Sequence, residues 1–589
     1  MSRRATLREI AHARSGEKGP DSNISVFAYH PDDYRILLEQ VTTAAVTRHF
    51  AGILRGEALR YAVPSVSGLN FVMRDVLEGG RTRTLAFEES GKALSSLLLS
   101  LEIELPEDHP VRSAQDLLRP APAAEDRGRR RKVRLGCATA WARDRFEPAA
   151  DLVARGNIDY LCFESMSEVT MSAHQVARSA NPALPAFDPY LRPRLEPVLR
   201  QCAEKGIRII SNQGWLDPAA AAREVRDLAE ELGLARLRIA AVDGTLDPAD
   251  LIAQDLTFVE TGTPVSGERD HIVSTEVYLG ATGIVEALQM GADVVITGRV
   301  ADACLYLGPL AHEFGWDLSD EQAAARGMIV GHLMECGSQI TGGYFSDPPY
   351  KIVPDLHRIG HPICEVDSET VSITKLEDTG GIVSEATCKE QLLYETQNPA
   401  RYLGPDVVVD LGRVTFRQSG KDRVDVIMDN PGLPRPDTLK ALVGLREGFI
   451  AEELVVFAGP SALQRARMTE DLLRRRFDEI GLVHEELRMD YVGLNSVHRE
   501  ASPPIAGEPY EVILRIAVKC ADRENAGKLR REVDPLAVNG VSGTGKWATV
   551  STGERIRPVI GMNSVLVPRS VVKTRITLLG SEGVEIRDL

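Results

Sequence analysis

YLGATGIVEALQMGADVVITGRVADACLYLGPLAHEFGW, Tyr278 to Trp316, decides how this chain is read. Its apolar run from Asp293 to Thr297 ends at Gly298, and Arg299, Asp302 and His312 follow at once. A run this short, closed by glycine, reads as a buried strand. In open α/β sheets ligands bind just past the carboxyl ends of parallel strands. Arg299 and Asp302 are therefore placed to meet a small molecule.

Outward from this strand the pattern repeats. VRLGCATAW, IDYLCFE, IRIISNQG and LRIAAVDG are strand-like runs, and helical segments such as PAAAAREVRDLAEELG separate them. Strands alternating with helices predict a mostly parallel sheet with crossover helices. The expected α/β domain spans residues 132–343, and its ligand edge carries Glu164, Asn212, Gln213, Asp243 and Arg299. After Gly343 the alternation stops, and strand-rich text with a few helices predicts an α+β domain over 344–589. Residues 1–110 read as a small α+β unit. In it ISVFAY and LRYAVP are strands, PDDYRILLEQVTTAAVTRHFAG is one or two helices, and SGLNFVMRDVLEGG is an amphipathic helix stopped by Gly79 and Gly80. A further helix runs from Gly91 through LSSLLLSLEI. Between the first two domains, 111–131 is dense in Pro, Ala and charge and reads as a linker.

At 589 residues the chain is too long for one core, and 43% hydrophobic residues let each domain bury its own. The net charge of −16 argues against nucleic acid as a partner. No apolar run approaches the ~20 residues of a membrane span, and the N-terminus lacks the apolar core of a secretory signal. The eight cysteines are scattered without a CxxC pair, as expected of reduced thiols in a cytoplasmic protein. A homo-oligomer is the default for a soluble enzyme of this size.

Candidate site residues follow from chemistry and placement. Arg299 can fork onto a carboxylate, and Asp302 can act as acid or base; the plain alternative is an Arg–Asp pair holding a helix start. Glu164 and Glu168 in FESMSEVT form a second acid pair, able to divide into acid and base roles if their environments differ; otherwise a carboxylate there caps the next helix. Asn212, Gln213 and Trp215 in SNQGWLDP can hydrogen-bond a carbonyl and cover an apolar substrate, unless Asp217-Pro218 simply opens a helix. HARSGEKGPDSN reads as a loop whose N–H groups and Lys18 can hold an anion. GGIVSEATCKEQLLYET and VSGTGKWATV are Gly-rich, and Lys546 in the latter can neutralise a phosphate of a large cofactor such as coenzyme A. Each of these loops is also readable as an ordinary turn. His332, Glu335 and Cys336 share a helix face, but the apolar residues around them favour a packed helix, so no metal is assigned. GxSxG, HExxH, P-loop, GxGxxG and DxDxDG motifs are absent.

IDYLCFESMSEVTM, the Tyr278–Trp316 stretch, GHLMECGSQITGGYFSD, IGHPICEV, TGGIVSEATCKEQLLYE and PRPDTLKALVG together resemble the acyclic-terpene-utilisation (AtuA-type) family. HARSGEKGPDSNISVFAY, RYAVPSVSGLNFVMRDVLEGG and GKALSSLLLSLEI resemble its companion ferredoxin-fold module. That module commonly follows the main domain and here precedes it, which implies that the two pack together. The resemblance implies breakdown of branched terpenoid acids as acyl-CoA esters, by hydration/elimination or C–C cleavage, or alternatively a non-catalytic acyl-CoA-binding or assembly subunit. It supplies no catalytic residue. SNQGWLDP stands where the family commonly has a small-residue NAGGLNP, so with Trp215 here the resemblance does not fix the substrate.

Overall fold

The computed structural model describes residues 2–110, 132–244, 246–504, 507–546 and 556–589. The expected linker, 111–131, lies outside them.

The chain builds a large mixed sheet whose strands run in the order Val414–Gly420, Arg423–Met428, Val371–Lys375, Pro362–Val366, Val133–Thr139, Tyr160–Phe163, Arg208–Trp215, Val294–Gly298, Ile239–Asp243, Arg575–Gly580 and Gly583–Asp588. The five strands from Val133 to Asp243 in that order pair in parallel, as expected from their alternation with helices. Antiparallel strands extend both sides of this parallel centre. The sheet therefore crosses residue 343: the strand Pro362–Val366 pairs on Val133–Thr139, and Arg575–Gly580 pairs on Ile239–Asp243.

Helices cover both faces of the parallel centre. Asp217 caps the helix Pro218–Glu231 by accepting from Ala220 N at 2.8 Å, and Pro218 supplies a first-turn φ without a lost donor. Its stripe of Ala221, Ala222, Val225, Leu228 and Ala229 is buried on the sheet. On the other face the helices Cys304–Phe314 and Glu321–Met334 pack closely. A Cβ on Gly331 would sit 2.2 Å from the Ala303 carbonyl oxygen, so only glycine allows this approach.

A second sheet forms around the 21-residue strand Thr438–Ala458, which pairs with Ile272–Val277, Glu511–Cys520 and Ile556–Pro568. The helices Ala462–Glu479 and Arg523–Val533 bury Ala466, Leu473, Phe477, Ala526 and Leu529 in its core.

The N-terminal module is a four-stranded antiparallel sheet in the order Ala11–Lys18, Asp21–Ala28, Gly68–Met73, Ala58–Val63. Tyr34–Gln40 and Thr43–His49 are helices, within the stretch the sequence reads as one or two. Two expectations fail. SGLNFVMRDVLEGG is not a helix: Gly68–Met73 is a strand buried on both faces, followed by turns. Leu69, Val72, Met73 and Val76 are buried as expected, but Val72 and Met73 point to opposite sides of the sheet. HARSGEKGPDSN is not an open loop but a hairpin: Ala11–Lys18 is an edge strand whose alternate N–H groups enter the ladder with Asp21–Ala28. The helix expected from Gly91 is confined to Leu94–Leu98, and Glu102–Pro106 is a strand paired with Ser2–Thr6.

Candidate functional site

Where the three bodies meet, the chain forms a cavity of about 2120 Å³ that is partly open to solvent. It lies at the carboxyl ends of the parallel strands. Glu164, Glu168, Arg299 and Asp302 line it from the main sheet, Tyr278 and Lys440 from the second, and Glu17 and Lys18 from the module.

Glu164 follows the strand Tyr160–Phe163 directly. Its Oε1 accepts from Met166 N at 2.7 Å and from Asn212 Nδ2 at 3.3 Å. Burial pushes its carboxyl well above the usual range; Asp302 pushes it further, and Arg299 opposes both. Glu164 does not cap the next helix, because Ser167 does, accepting from Thr170 N at 3.2 Å. Glu168, in the first turn of that helix, moves the other way. Burial would raise it, but the Lys440 ammonium at 3.2 Å, with Lys18 beyond, outweighs burial and holds the carboxyl below its ordinary value. Two acids four residues apart are thus shifted in opposite directions by their surroundings.

Arg299 leaves the end of the strand Val294–Gly298 and is buried. Its Nη2 donates to Asp302 Oδ1 at 2.6 Å, its Nη1 donates to the Met166 carbonyl, and the guanidinium lies 4.1 Å from the centre of the Tyr278 ring. The fork expected for a substrate carboxylate is thus turned on protein acceptors, while Nε is buried without a partner. Asp302 is pushed up to about 6, by burial first, against the pull of Arg299 and with the push of Glu335. Behind Arg299, Glu276 of the second sheet is raised to about 7 by burial, and its Oε2 has no partner.

The other expected residues separate from this group. Asn212 lies beneath Glu164, holding Ser165 N at 2.8 Å on its Oδ1. Gln213 donates to Asp188 Oδ2 at 2.8 Å inside the fold. Trp215 is core: its ring meets His174 at 4.8 Å, its Nε1 donates to Ser165 Oγ at 3.2 Å, and it packs with Met166 and Met171. Asp243 ends its strand at the same sheet edge, yet none of Asn212, Gln213, Trp215 and Asp243 lines the cavity. Lys546 pairs through its backbone with the long strand, and its side chain lies outside the described residues, as does 547–555 of the same Gly-rich run.

Sequence reading placed His332 and Glu335 on one helix face but left them to packing, and it did not single out Tyr402, Tyr278, Lys440 or Glu17. The Tyr402 hydroxyl lies 3.1 Å from His332 Nδ1, and His332 Nε2 faces the Leu392 carbonyl at 2.9 Å. Glu335 lies 3.2 Å from the same Nδ1. The helical HxxE spacing was a signal, but the tyrosine comes from a distant segment. Glu17 sits beside Lys18 in HARSGEKGPDSN and Tyr278 opens the Tyr278–Trp316 stretch, but neither residue type marked itself, and Lys440 had no local signal. No group of three or more His, Cys, Asp or Glu side chains fit to hold a metal occurs among the described residues. No described helix is long and apolar enough to cross a membrane.

Two family models match the chain. The model of the acyclic terpene utilisation family protein AtuA covers residues 133–578, and that of the AtuA ferredoxin-like domain covers 5–104. The chain belongs to the AtuA family, with the ferredoxin-like domain at its N-terminal side. No curated protein and no solved structure shows significant similarity to it.

Proposed function

We propose that this AtuA-family protein is an enzyme that moves protons on a branched, carboxylated organic acid or its acyl-CoA ester, within the cavity between its three bodies. The observation that carries this reading is the pairing of two protonatable carboxyls, Glu164 and Asp302, around Arg299. An acid and a base are most effective when their pKa values lie near the working pH. Asp302, at about 6, suits the base. Glu164, held protonated, suits the acid that delivers a proton to a leaving or carbonyl oxygen. Such a pair supports hydration/elimination and equally the cleavage of a C–C bond next to a carbonyl.

Glu168, kept ionised, is a weaker base, and its role here is to orient Lys440. Lys440 and Lys18 are the cations offered to an anionic substrate group, while Arg299 sets the charge of Asp302. The cavity exceeds the ~300–1,000 Å³ typical of small-ligand pockets, which leaves room for a terpenoid chain together with a large acyl carrier.

Incubating the purified protein with acyclic terpenoid acids and their acyl-CoA esters, with products followed by mass spectrometry, tests this directly. Wild type should convert one of them, and Glu164→Gln and Asp302→Asn should each lose about 10²–10⁴-fold in rate with the fold kept. Binding of the esters without conversion would instead make the protein a carrier or assembly subunit.

A further inference from the structure

The tip of the module's hairpin enters the cavity. Lys18 and Asp21 are paired across its turn, and Glu17 and Lys18 line the cavity wall beside residues some 380 positions away in sequence. Lys18 Nζ donates to Glu395 Oε2 at 2.9 Å. Glu17 Oε1 accepts from Arg81 Nη1 at 3.1 Å, and Arg81 Nε also donates to Glu89 Oε1 at 3.2 Å. The other oxygen of Glu17, Oε2, is buried and has no partner.

This insertion is fixed from several directions. A Cβ on Gly16 would sit 2.6 Å from the Tyr394 ring and 2.7 Å from the Glu395 side chain, so the hairpin backbone is pressed against that segment. Asn23 Oδ1 accepts from Glu395 N at 2.8 Å, and Asn70 Nδ2 donates to the Thr396 and Gln397 carbonyls, both at 2.9 Å. A module serving only as a spacer has no need to bury a carboxylate oxygen without a partner at the wall of another domain's cavity.

We propose that the N-terminal module is a working part of the site: Glu17 exchanges a proton with the anionic group of the bound acid, and Lys18 holds that group. This rests on the reading of the cavity as a site for carboxylated substrates. In the step, Glu17 takes a proton from solvent as the anion arrives, and that proton is shared between the Glu17 carboxyl and the substrate oxygen in one O–H···O bond. Arg81 faces Glu17 and balances its carboxylate before the ligand arrives. The groups facing Glu17 support it: burial raises its carboxyl to about 7, Arg81 pulls it down, and Glu395 and Glu168 push it up.

The test is calorimetric titration of the full chain with geranate, a ten-carbon acyclic terpenoid carboxylate, at pH 7 in buffers of different ionisation heat. A second negative charge beside Glu17 favours its protonated form, so wild type should take up protons on binding. Glu17→Gln should bind with markedly less uptake. Lys18→Met should keep the uptake and weaken binding about ten- to a hundredfold, the range for a lost charge-assisted hydrogen bond. Equal uptake in wild type and Glu17→Gln would overturn the proton role, and unchanged affinity in Lys18→Met would overturn the holding role, with the site reading left intact. Failure of wild type to bind geranate and its coenzyme A thioester would sink the site reading and this proposal together.

Discussion

His12 of the N-terminal module and Glu390 of the helix Glu385–Leu392 lie 2.5 Å apart, Nδ1 to Oε1, both almost wholly buried. Lys351 Nζ reaches the same carboxylate oxygen at 3.2 Å and lies 3.8 Å from the centre of the Phe345 ring. The His12 ring stacks on Phe27 and Tyr29 and meets the edge of Phe345. The interface between module and body is thus keyed by a buried network in which one ammonium already balances the carboxylate. A second positive charge on His12 is unfavourable there. Burial lowers its pKa to about 4; the hydrogen bond to Glu390 opposes this, and Lys351 adds to it.

The pH dependence follows from that sign. A histidine whose folded pKa lies below its unfolded value, about 6.5, binds more protons when unfolded. Its contribution is fully present above pH ~6.5 and is lost as pH falls towards 4. Thermal melts of wild type and His12→Gln between pH 4 and 7.5 should show the wild-type advantage shrinking steadily below pH ~6.5. A constant difference across that range would show that His12 does not titrate as the buried base of this interface.

Glu164 predicts the opposite slope. Its folded pKa is raised, so its contribution to stability is present below the unfolded value, ~4.3, and is lost as pH rises towards the folded one. Glu164→Gln keeps the shape and the hydrogen-bonding oxygen without the charge. Its melting temperature should therefore decline less than that of wild type as pH is raised from 6 to 9. A parallel decline in both proteins would mean that Glu164 is ionised at no cost and is not the site's acid.

The parallel strands were legible because each is a short apolar run buried on both faces and bounded by turn residues; IDYLCFE and DVVITGR leave no other reading. Glu164, Arg299 and Asp302 were legible by the same route, since strand ends converge on one edge. Leu69, Val72, Met73 and Val76 misled because they also satisfy helical spacing, and pairing with Asp21–Ala28 on one side and Ala58–Val63 on the other makes that segment a strand. The tip of the module's hairpin looked like an anion loop because small polar residues suit both, and the pairing with Asp21–Ala28 that makes it a strand is not marked locally. Trp215 was assigned to the ligand for its bulk. It sits instead at φ 43° as the last residue of its strand, with its ring turned into the core. Tyr278, Lys440, Tyr402 and Glu17 each reach the cavity from a different body or segment, and no local pattern marks them.

Trp215 gives a prediction that separates packing from binding. Trp215→Phe keeps an aromatic ring against His174 and Met171 but removes the Nε1–H donated to Ser165 Oγ. Leaving one buried partner unsatisfied costs about 1–3 kcal/mol. The variant should melt earlier, yet keep the affinity of wild type for any ligand of the cavity. Weaker binding at unchanged stability would return Trp215 to the substrate wall.

Gly16 tests the seat of the hairpin. A methyl group at this position must push aside the Tyr394 ring or the Glu395 side chain. Overpacking of this kind typically costs 1–3 kcal/mol. Gly16→Ala should lower the melting temperature and speed amide exchange along Ala11–Lys18, with the exchange of the parallel strands unchanged. Unaltered exchange in the hairpin would show that the contact yields easily.

Arg299→Lys distinguishes the two roles open to this arginine. The guanidinium serves Asp302, the Met166 carbonyl and the Tyr278 ring at once. An ammonium on a shorter reach cannot hold all three, because it lacks the planar fork. The Asp302 carboxyl then loses its charge-assisted bond, worth ~1.5–3 kcal/mol, and with it the influence that opposes burial. Its pKa should rise above about 6, and the acid limb of any pH–rate profile should shift upward. The melting temperature should fall in the same variant. If Arg299 instead held the substrate directly, affinity for a carboxylate ligand would drop about ten- to a hundredfold with the acid limb in place. Measuring the profile, the affinity and the melt on one variant therefore decides whether Arg299 tunes the base or grips the ligand.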